Sequence, residues 1–305
     1  MCMVKLIHDD LDIKKIAESG QTFRWVRADA DRELFLGEKS ASVVCKHAEV
    51  HDDRMELSKL TYRVLSSDKC LYITDLGDDN YELDCTEEEF ENYWKNYLDL
   101  DENYSAIRGR IDRESDPYLY EAAESGRGIR ILRQDPWEML ISFIISQNKN
   151  IPAIMSSIEK LCMLCGEEMT DSHGEMYHVF PTPDALATVP EEALRSCSLG
   201  YRCPYIHETA VRVSSGEFDI EVLLDADEDT TIQNLTSLLG VGPKVANCVS
   251  LFGLHHIDAF PKDVWIKRVL AEHYPDGYPF EKYSPYNGIY QQYMFYGARV
   301  GDLDE

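Results

Sequence analysis

The spacing of the apolar residues changes at about residue 86, and this change constrains the fold more than any other feature of the sequence. Before it, short apolar runs are separated by glycine and by charge clusters, which is typical of strands in an antiparallel sheet. Such runs are Leu34–Leu36, Val43–Cys45 and Leu71–Thr74. After it, apolar residues recur with helical spacing. The sequence therefore predicts an α+β protein, with an N-terminal antiparallel sheet followed by a mostly helical part.

Capping signals mark the starts of two predicted helices. Thr86 is followed three residues later by Glu89, which is the pattern of a capping box. The segment 135–138 offers an aspartate as N-cap, a proline at the first helical position and a glutamate at the third. We expect the second helix to run to residues 147–150 and Pro152 to open another helix.

Acidic residues dominate the composition. The chain has 30 Lys+Arg against 56 Asp+Glu, a formal net charge of −26, which opposes binding to a polyanion. The segment 231–270 has a net positive charge, because it contains four basic residues and two acidic ones. We interpret it as a local anion-binding face, and the acidic stretch 221–231 as a surface linker. The N-terminus lacks the apolar stretch of a signal peptide, so we expect a cytoplasmic protein without a membrane partner.

The segment from Leu235 to Val249 is predicted to form a helix, a tight turn and a second helix. Gly240 and Gly242 bracket the turn, where the chain must approach another segment or an external ligand closely. Pro243 suits the first turn of the second helix. Unpaired N–H groups at such a helix start form an anion site that can hold a DNA phosphate without reading sequence. Glycine used for packing alone is the alternative.

Lys244 and Asp263 are the candidate catalytic residues. Lys244 lies in the first turn of the second helix, where the helix dipole disfavours a cation and so favours the uncharged, nucleophilic amine. A solvated lysine that contacts only phosphate is the alternative. Asp263 precedes an apolar helical stripe. Its carboxylate is predicted either to cap that helix or to face a developing positive charge beside Lys244.

The chain has nine cysteines, which fits a reduced protein better than a disulfide scaffold. Only Cys162 and Cys165 have the spacing of metal ligands. Without a second pair that spacing is weak, and the apolar neighbours favour the end of a buried helix.

Five further segments carry a resemblance to a known family. They are 20–25 (Gly-Gln-Thr-Phe-Arg-Trp), 132–136, 142–151, 200–202 and 285–295. Together with the hairpin, they resemble the helix-hairpin-helix (HhH-GPD) DNA glycosylases that have a Gly/Pro-rich loop and a catalytic aspartate. Among these the chain is most similar to the 8-oxoguanine DNA glycosylase/AP lyases.

The resemblance implies a fold and an activity. It implies an antiparallel sheet domain with a flanking helix over 1–115 and a helical glycosylase core over 116–305, with the hairpin at about 232–252. It implies removal of 8-oxoguanine from duplex DNA, through a Schiff base on Lys244 and β-elimination, with Asp263 stabilising the cationic transition state. It implies a monomer that binds double-stranded DNA containing oxidised guanine, nucleoid-associated in a prokaryote or nuclear in a eukaryote.

The resemblance also assigns residues around the extruded base. Gly20 would offer its carbonyl to the N7–H of the oxidised base, Cys248 and Phe295 would sandwich the base, and Gln291 would contact its Watson–Crick edge. Asn148 would fill the gap, Tyr201 would wedge the stack, and Arg202 would face the orphaned base. DNA contacts are implied at Asn148, Tyr201, Arg202, Gly240, Gly242, Val245 and Trp265. Main-chain carbonyls of Thr236, Leu238 and Val241 would hold a monovalent or calcium ion, with no cofactor required.

The chain departs from this family at two positions. Eukaryotic members have an arginine five residues after the asparagine that matches Asn148, where this chain has Ala153. They also have a histidine two residues after the catalytic aspartate, where this chain has Trp265.

Two other functions remain open at this point. An alkylated-base glycosylase of the same superfamily would lack the hairpin lysine, so Lys244 argues against it. A non-catalytic helix-hairpin-helix module would need Gly240 and Gly242 but not Lys244 or Asp263. The iron–sulfur branches of the superfamily carry four C-terminal cysteines, whereas no cysteine follows Cys248 here.

Overall fold

A computed structural model of the chain describes residues 3–28 and 59–301. Five strands form an antiparallel sheet in the order β1-β5-β4-β3-β2. They are β1 (Val4–Ile7), β2 (Trp25–Arg27), β3 (Leu60–Ser66), β4 (Lys69–Gly77) and β5 (Asn80–Leu83). The predicted order of sheet and then helices is confirmed. The predicted strand at Leu71–Thr74 lies within β4, whereas Leu34–Leu36 and Val43–Cys45 lie outside the described residues.

Two helices pack against this sheet and share its hydrophobic core. The first, α1 (Ile13–Glu18), interrupts a region predicted to be mostly strand; Asp12 caps it by accepting from the Lys15 N–H at 2.9 Å. The second, α2, runs from Glu87–Glu89 through a π-helical segment, Phe90–Trp94, to Lys95–Tyr97. Its predicted capping box is present, because Thr86 and Glu89 bond to each other's backbone N–H groups.

The remaining helices enclose a second, larger hydrophobic core. They are α3 (Tyr104–Arg108), α4 (Pro117–Ser125), α5 (Pro136–Ser146), α6 (Ile151–Cys165), α7 (Pro183–Ala187), α8 (Glu191–Leu194), α9 (Cys203–Ser214), α10 (Glu228–Thr236), α11 (Pro243–Phe252), α12 (Val264–His273), α13 (Phe280–Tyr283) and α14 (Asn287–Gly301). Short 3-10 turns at Arg195–Cys197, Gly200–Arg202 and Glu221–Leu223 connect some of them. A small hairpin of β6 (Glu168–Thr170) and β7 (Met176–His178) follows α6. Within the described residues, none of these helices combines the length and apolar character needed to cross a bilayer.

The local helix signals of the sequence are largely confirmed. Asp135 caps α5 through the Glu138 N–H at 2.7 Å, α5 ends at Ser146, and Pro152 lies in the first turn of α6. The prediction of a linker over 221–231 is wrong at its end. Asp227 caps α10 through the Thr230 N–H at 2.8 Å, so the acidic residues there stabilise a helix start.

The segment that begins at Gly20 joins the two cores. The Gln21 amide nitrogen donates to the Arg130 carbonyl at 2.9 Å, and its oxygen accepts from the Leu132 N–H at 2.9 Å. The Gln134 side chain donates to the Gln21 carbonyl at 2.8 Å. These bonds fix the backbone at Gly20 against the helical part. The domain boundary at 115 and 116 stays a prediction.

Candidate active site

The hairpin turn between α10 and α11 contains both predicted glycines, and they differ in what surrounds them. Gly240 has φ +78°, and a Cβ there would lie 2.2 Å from the Tyr205 ring, so a close approach within the protein requires glycine. Gly242 has φ −92° and would place a Cβ in open space. Among the described residues, none would contact a side chain at 242, so the space beside Gly242 is open to an external molecule.

Helix α11 starts without a side-chain cap. Gly242 is its N-cap residue, and the first N–H to bond back is that of Ala246, at 2.9 Å to the Gly242 carbonyl. Pro243 has no N–H, and no described residue accepts a hydrogen bond from the N–H groups of Lys244 and Val245. Two unpaired donors at the positive end of a helix dipole attract an anion.

The Lys244 amine lies beside a buried thiol. Its Nζ is 5.5 Å from the centroid of the Phe143 ring, on α5. Burial raises the pKa of the Cys248 thiol, while the charge of Lys244 and a hydrogen bond to it lower that pKa, and the Asp263 charge raises it. Lys244 and Asp263 therefore both lie near enough to Cys248 for their charges to act on its thiol. Phe143 was not among the predicted site residues. Its position off the main apolar stripe of α5 is the one signal in the sequence that could have indicated it.

Asp263 is the N-cap of α12, as one of its two predicted roles requires. Its Oδ1 accepts from the Ile266 N–H at 2.8 Å. Its other oxygen, Oδ2, receives no hydrogen bond from the described part of the chain. The cap therefore uses one carboxylate oxygen and holds the other, with its charge, near Cys248.

Gly20 and Phe295 lie against each other, one after α1 and the other on α14. Gly20 has φ +76°, and a Cβ there would lie 3.3 Å from Cε1 of Phe295. The Gly20 carbonyl accepts no hydrogen bond from the described residues. Gln291, one turn before Phe295 on α14, donates to the Pro261 carbonyl at 3.1 Å, and its Oε1 is buried without a partner. A buried amide oxygen without a partner favours a ligand that donates a hydrogen bond.

Two further loops carry the predicted contacts beside the extruded base. Asn148, with φ +51°, donates to the Tyr201 hydroxyl at 2.9 Å, and both side chains are exposed. Arg202 is only 5% exposed and donates to the carbonyls of Leu199 and Gln147. The structure therefore places Asn148 and Tyr201 together at the surface and uses Arg202 to hold their loops.

Gln147 connects these loops to the hairpin through contacts that nothing in the local sequence indicates. Its side-chain nitrogen donates to the Gly240 carbonyl at 3.1 Å and to the Ile144 carbonyl at 3.1 Å, while its own carbonyl accepts from Arg202. One residue therefore joins the Asn148 loop, the Tyr201 loop and the turn that precedes Lys244.

The remaining predicted contacts lie around the hairpin and α12. Trp265 is partly exposed in the first turn of α12, with the Arg268 guanidinium 5.3 Å from its ring centroid. The carbonyls named for an ion lie at the C-terminal end of α10, where the helix dipole favours a cation. One of them, that of Leu238, already accepts from the Val241 N–H at 3.1 Å. Among the residues that the structure describes, no cluster of His, Cys, Asp or Glu could hold a metal.

Two family models cover most of the chain. The 8-oxoguanine DNA glycosylase N-terminal domain matches residues 3–140, and the HhH-GPD superfamily base excision DNA repair protein matches residues 141–277. The chain belongs to the 8-oxoguanine DNA glycosylase family within the HhH-GPD superfamily.

Individual relatives agree with this assignment. A Methanothermobacter thermautotrophicus protein named as a probable N-glycosylase/DNA lyase is 38% identical over 180 residues, 52% of this chain and 57% of that one. The chain thus spans little more than half of that relative. The N-glycosylase/DNA lyase of Saccharomyces cerevisiae is 30% identical over 284 residues, 87% of this chain and 69% of that one. The Clostridium acetobutylicum 8-oxoguanine glycosylase/lyase superposes with a TM-score of 0.81 at 30% identity, covering 98% of each chain.

Proposed function

We propose that this protein is a bifunctional DNA glycosylase and AP lyase that removes 8-oxoguanine from duplex DNA. The observation that carries the proposal is the meeting of Lys244, Cys248 and Asp263 at the start of an uncapped hairpin helix. The Clostridium relative is described in complex with duplex DNA containing cytosine opposite 8-oxoguanine, which supports the same substrate here. A stacked base is out of reach of such a site, so the nucleotide must flip out of the duplex.

The proposed reaction begins at the Lys244 amine in its uncharged form. Nζ bonds to C1′ of the flipped nucleotide as the bond from C1′ to the base breaks; the base leaves with the electron pair and takes up a proton. The attached nitrogen gives up one proton, which the departing base takes up; the C1′–O4′ bond then breaks, O4′ takes a proton from solvent, and a protonated Schiff base remains. Removal of a C2′ proton then expels the 3′ oxygen and cuts the strand. Asp263 assists the first step because its charge opposes the positive charge that develops on the sugar.

Recognition of the lesion falls to three groups. The Gly20 carbonyl would accept from the N7–H that only the oxidised guanine carries. The unpaired Oε1 of Gln291 would accept from the Watson–Crick edge. Cys248 and Phe295 would lie on the two faces of the base. Normal guanine has no N7–H, so it would leave the Gly20 carbonyl unpaired, which favours rejection.

The exposed loops would hold the distorted duplex. Asn148 would fill the gap left by the base and Tyr201 would wedge the stack. Arg202 would face the orphaned base once its guanidinium left its backbone partners. The amides of Gly242 and Val245 would contact phosphate, with Gly240 shaping the turn and Trp265 contacting the backbone nearby.

Two accessory features complete the proposal. A monovalent or calcium ion on the carbonyls of Thr236, Leu238 and Val241 would stabilise the turn, without taking part in the chemistry. The protein would act as a monomer where the genome lies, in the nucleoid of a prokaryote or the nucleus of a eukaryote.

Borohydride trapping on a duplex with one 8-oxoguanine tests the proposal. We expect a covalent protein–DNA adduct with the wild type and none on the undamaged duplex. Lys244→Gln should bind lesion DNA but neither excise nor trap. Lys244→Arg keeps the charge without a Schiff-base amine, and should fail equally. If the wild type binds the duplex without forming any adduct, the non-catalytic module is favoured. If it excises alkylated bases without forming an adduct, the alkylated-base glycosylase is favoured.

A further inference from the structure

Two lysine amines converge on one residue beside the Asn148 loop. Lys149 Nζ donates to the Ser198 carbonyl at 2.7 Å and to the Ser157 hydroxyl at 2.5 Å. Lys160 Nζ donates to the Ser198 hydroxyl at 3.2 Å. Ser198 and Lys160 are exposed, and Lys149 is partly buried. Both ammonium groups therefore bond to Ser198, one at its carbonyl and the other at its hydroxyl, and the hydroxyl keeps its own proton to donate.

Arg202 adds a third cation to this pair of lysines. Arg202 lies four residues after Ser198, and burial together with the charges of Arg202 and Lys160 lowers the pKa of the Lys149 amine. Within the described residues, none of the three makes an ion pair, whereas buried Arg24 is paired with Glu159 at 3.0 Å. Three unpaired cations repel one another, and a bound anion would relieve that repulsion.

The cluster lies on the surface that the proposed function assigns to DNA. Its loop continues into Tyr201, whose hydroxyl bonds to Asn148. A lysine amine is a point charge that suits phosphate, and the Lys149 amine is held by two bonds that keep it from reaching for a base edge. The position and the chemistry both favour the DNA backbone as the anion.

We propose that Lys149, Lys160 and the Ser198 hydroxyl form a phosphate-binding site for the DNA backbone, with Arg202 strengthening its positive potential. The inference rests on the proposed function only in naming DNA as the source of the phosphate. The site would hold the duplex beside the gap and would compensate locally for the net charge of −26.

The salt dependence of binding tests the site. The slope of log K against log [salt] is negative, and we expect its magnitude to decrease by about one for Lys160→Gln and by about one for Lys149→Gln. Affinity at low salt should decrease about threefold or more for each variant. Lys5→Gln, an exposed change on β1, is the matched control and should leave the slope unchanged. Thermal unfolding of each variant shows whether the fold is kept. An unchanged slope for a folded Lys160→Gln would overturn the site and leave the lysines as ties for the Ser198 turn.

Neutral methylphosphonates, placed one at a time on either strand, identify the phosphate. The wild type should lose affinity at one position near the lesion, and Lys160→Gln should lose none there. No such position on either strand would refute the proposal. An altered salt slope without borohydride trapping would refute the glycosylase function and keep the site. Trapping with an unaltered slope would refute the phosphate site and keep the glycosylase function.

Discussion

The two carboxylate oxygens of Asp263 have different surroundings. Oδ1 caps α12 at 2.8 Å from the Ile266 nitrogen, and Oδ2 stays free among the described residues. The capping and the catalytic interpretations of the sequence therefore do not compete. Substitutions can separate them, because asparagine caps a helix as well as aspartate does but carries no charge.

Asp263→Asn is expected to keep the fold and lose the reaction. Removing one preorganised charge should slow base excision about 10²–10³-fold, a barrier increase of about 3–4 kcal/mol, with little change in Tm. Single-turnover excision and thermal unfolding measure the two effects. Asp263→Ala should lose activity and also about 1 kcal/mol of stability. Wild-type rates in the asparagine variant would remove Asp263 from the mechanism, and unfolding would leave it only as a cap.

Discrimination of the base opposite the lesion is expected to be loose. Ala153 has no donor, and Arg202 is bonded to backbone carbonyls rather than presented to DNA. A good set of donors to a base edge contributes about 1–3 kcal/mol, so losing one side should remove tenfold or more of the preference for C. Excision opposite C, A, G and T measures this, and Ala153→Arg should sharpen it. A thousand-fold preference for C in the wild type would contradict the expectation.

The positions of residues were predictable where they depend on local sequence and not where they depend on tertiary contact. Lys244 and Asp263 stand at helix starts, which the sequence marks. Phe143 beneath the amine and Gln147 between three loops become visible only when α5 meets the hairpin. A glutamine in a loop carries no signal of the carbonyl it will bind.

The same division holds for whole elements. Helix α5 was predictable because its cap and its apolar stripe are both local. The starts of α1 and α10 were missed, because Asp12 and Asp227 lie in stretches whose other features indicate strand and linker. Acidic residues favour both exposed linkers and helix starts, so their presence alone does not distinguish the two.

Helix α5 carries a buried acid that makes stability depend on pH. Glu138 is 4% exposed, and burial raises its pKa to about 7, with the Arg24 charge opposing the rise. A carboxyl with a raised pKa holds its proton better in the folded state. The cost of ionising this buried carboxyl lowers the stability of the folded state; it is absent below the unfolded pKa of 4.5, grows between 4.5 and about 7, and is constant at higher pH.

Glu138→Gln is therefore expected to stabilise the protein at pH 8 by about 1–3 kcal/mol and to change little at pH 5. Urea unfolding at the two pH values provides the measurement. Glu159→Gln is the contrasting variant, because it removes the ion-pair partner of buried Arg24 and should destabilise at both. Equal effects of Glu138→Gln at both pH values would contradict the raised pKa.

At the scale of the molecule, the charge of −26 acts on stability and on binding in opposite senses. Self-repulsion destabilises the compact state, and salt screens it over a Debye length that falls from about 10 Å at 0.1 M to about 3 Å at 1 M. We expect Tm to rise by several degrees between 0.05 and 1 M potassium chloride, while affinity for DNA falls. Calorimetry and a binding titration in the same buffers measure both; a flat or falling Tm would refute the first expectation.

The hydrogen bonds of Gln147 have a consequence, under the proposed function, for how a lesion would be distinguished from a normal base. Because Gln147 ties the Asn148 loop, the Tyr201 loop and the Gly240 turn into one unit, the side chains proposed to open the duplex and the proposed nucleophile are held in one arrangement. Under the proposed function, a normal guanine would therefore meet the nucleophile and the duplex-opening side chains already in place, and of the groups assigned to the DNA only Arg202 would still have to leave its backbone partners. Discrimination between the two bases would then depend on one hydrogen bond, from the N7–H of the lesion to the Gly20 carbonyl. Normal guanine cannot form that bond, so it would dissociate from the site before it reacts.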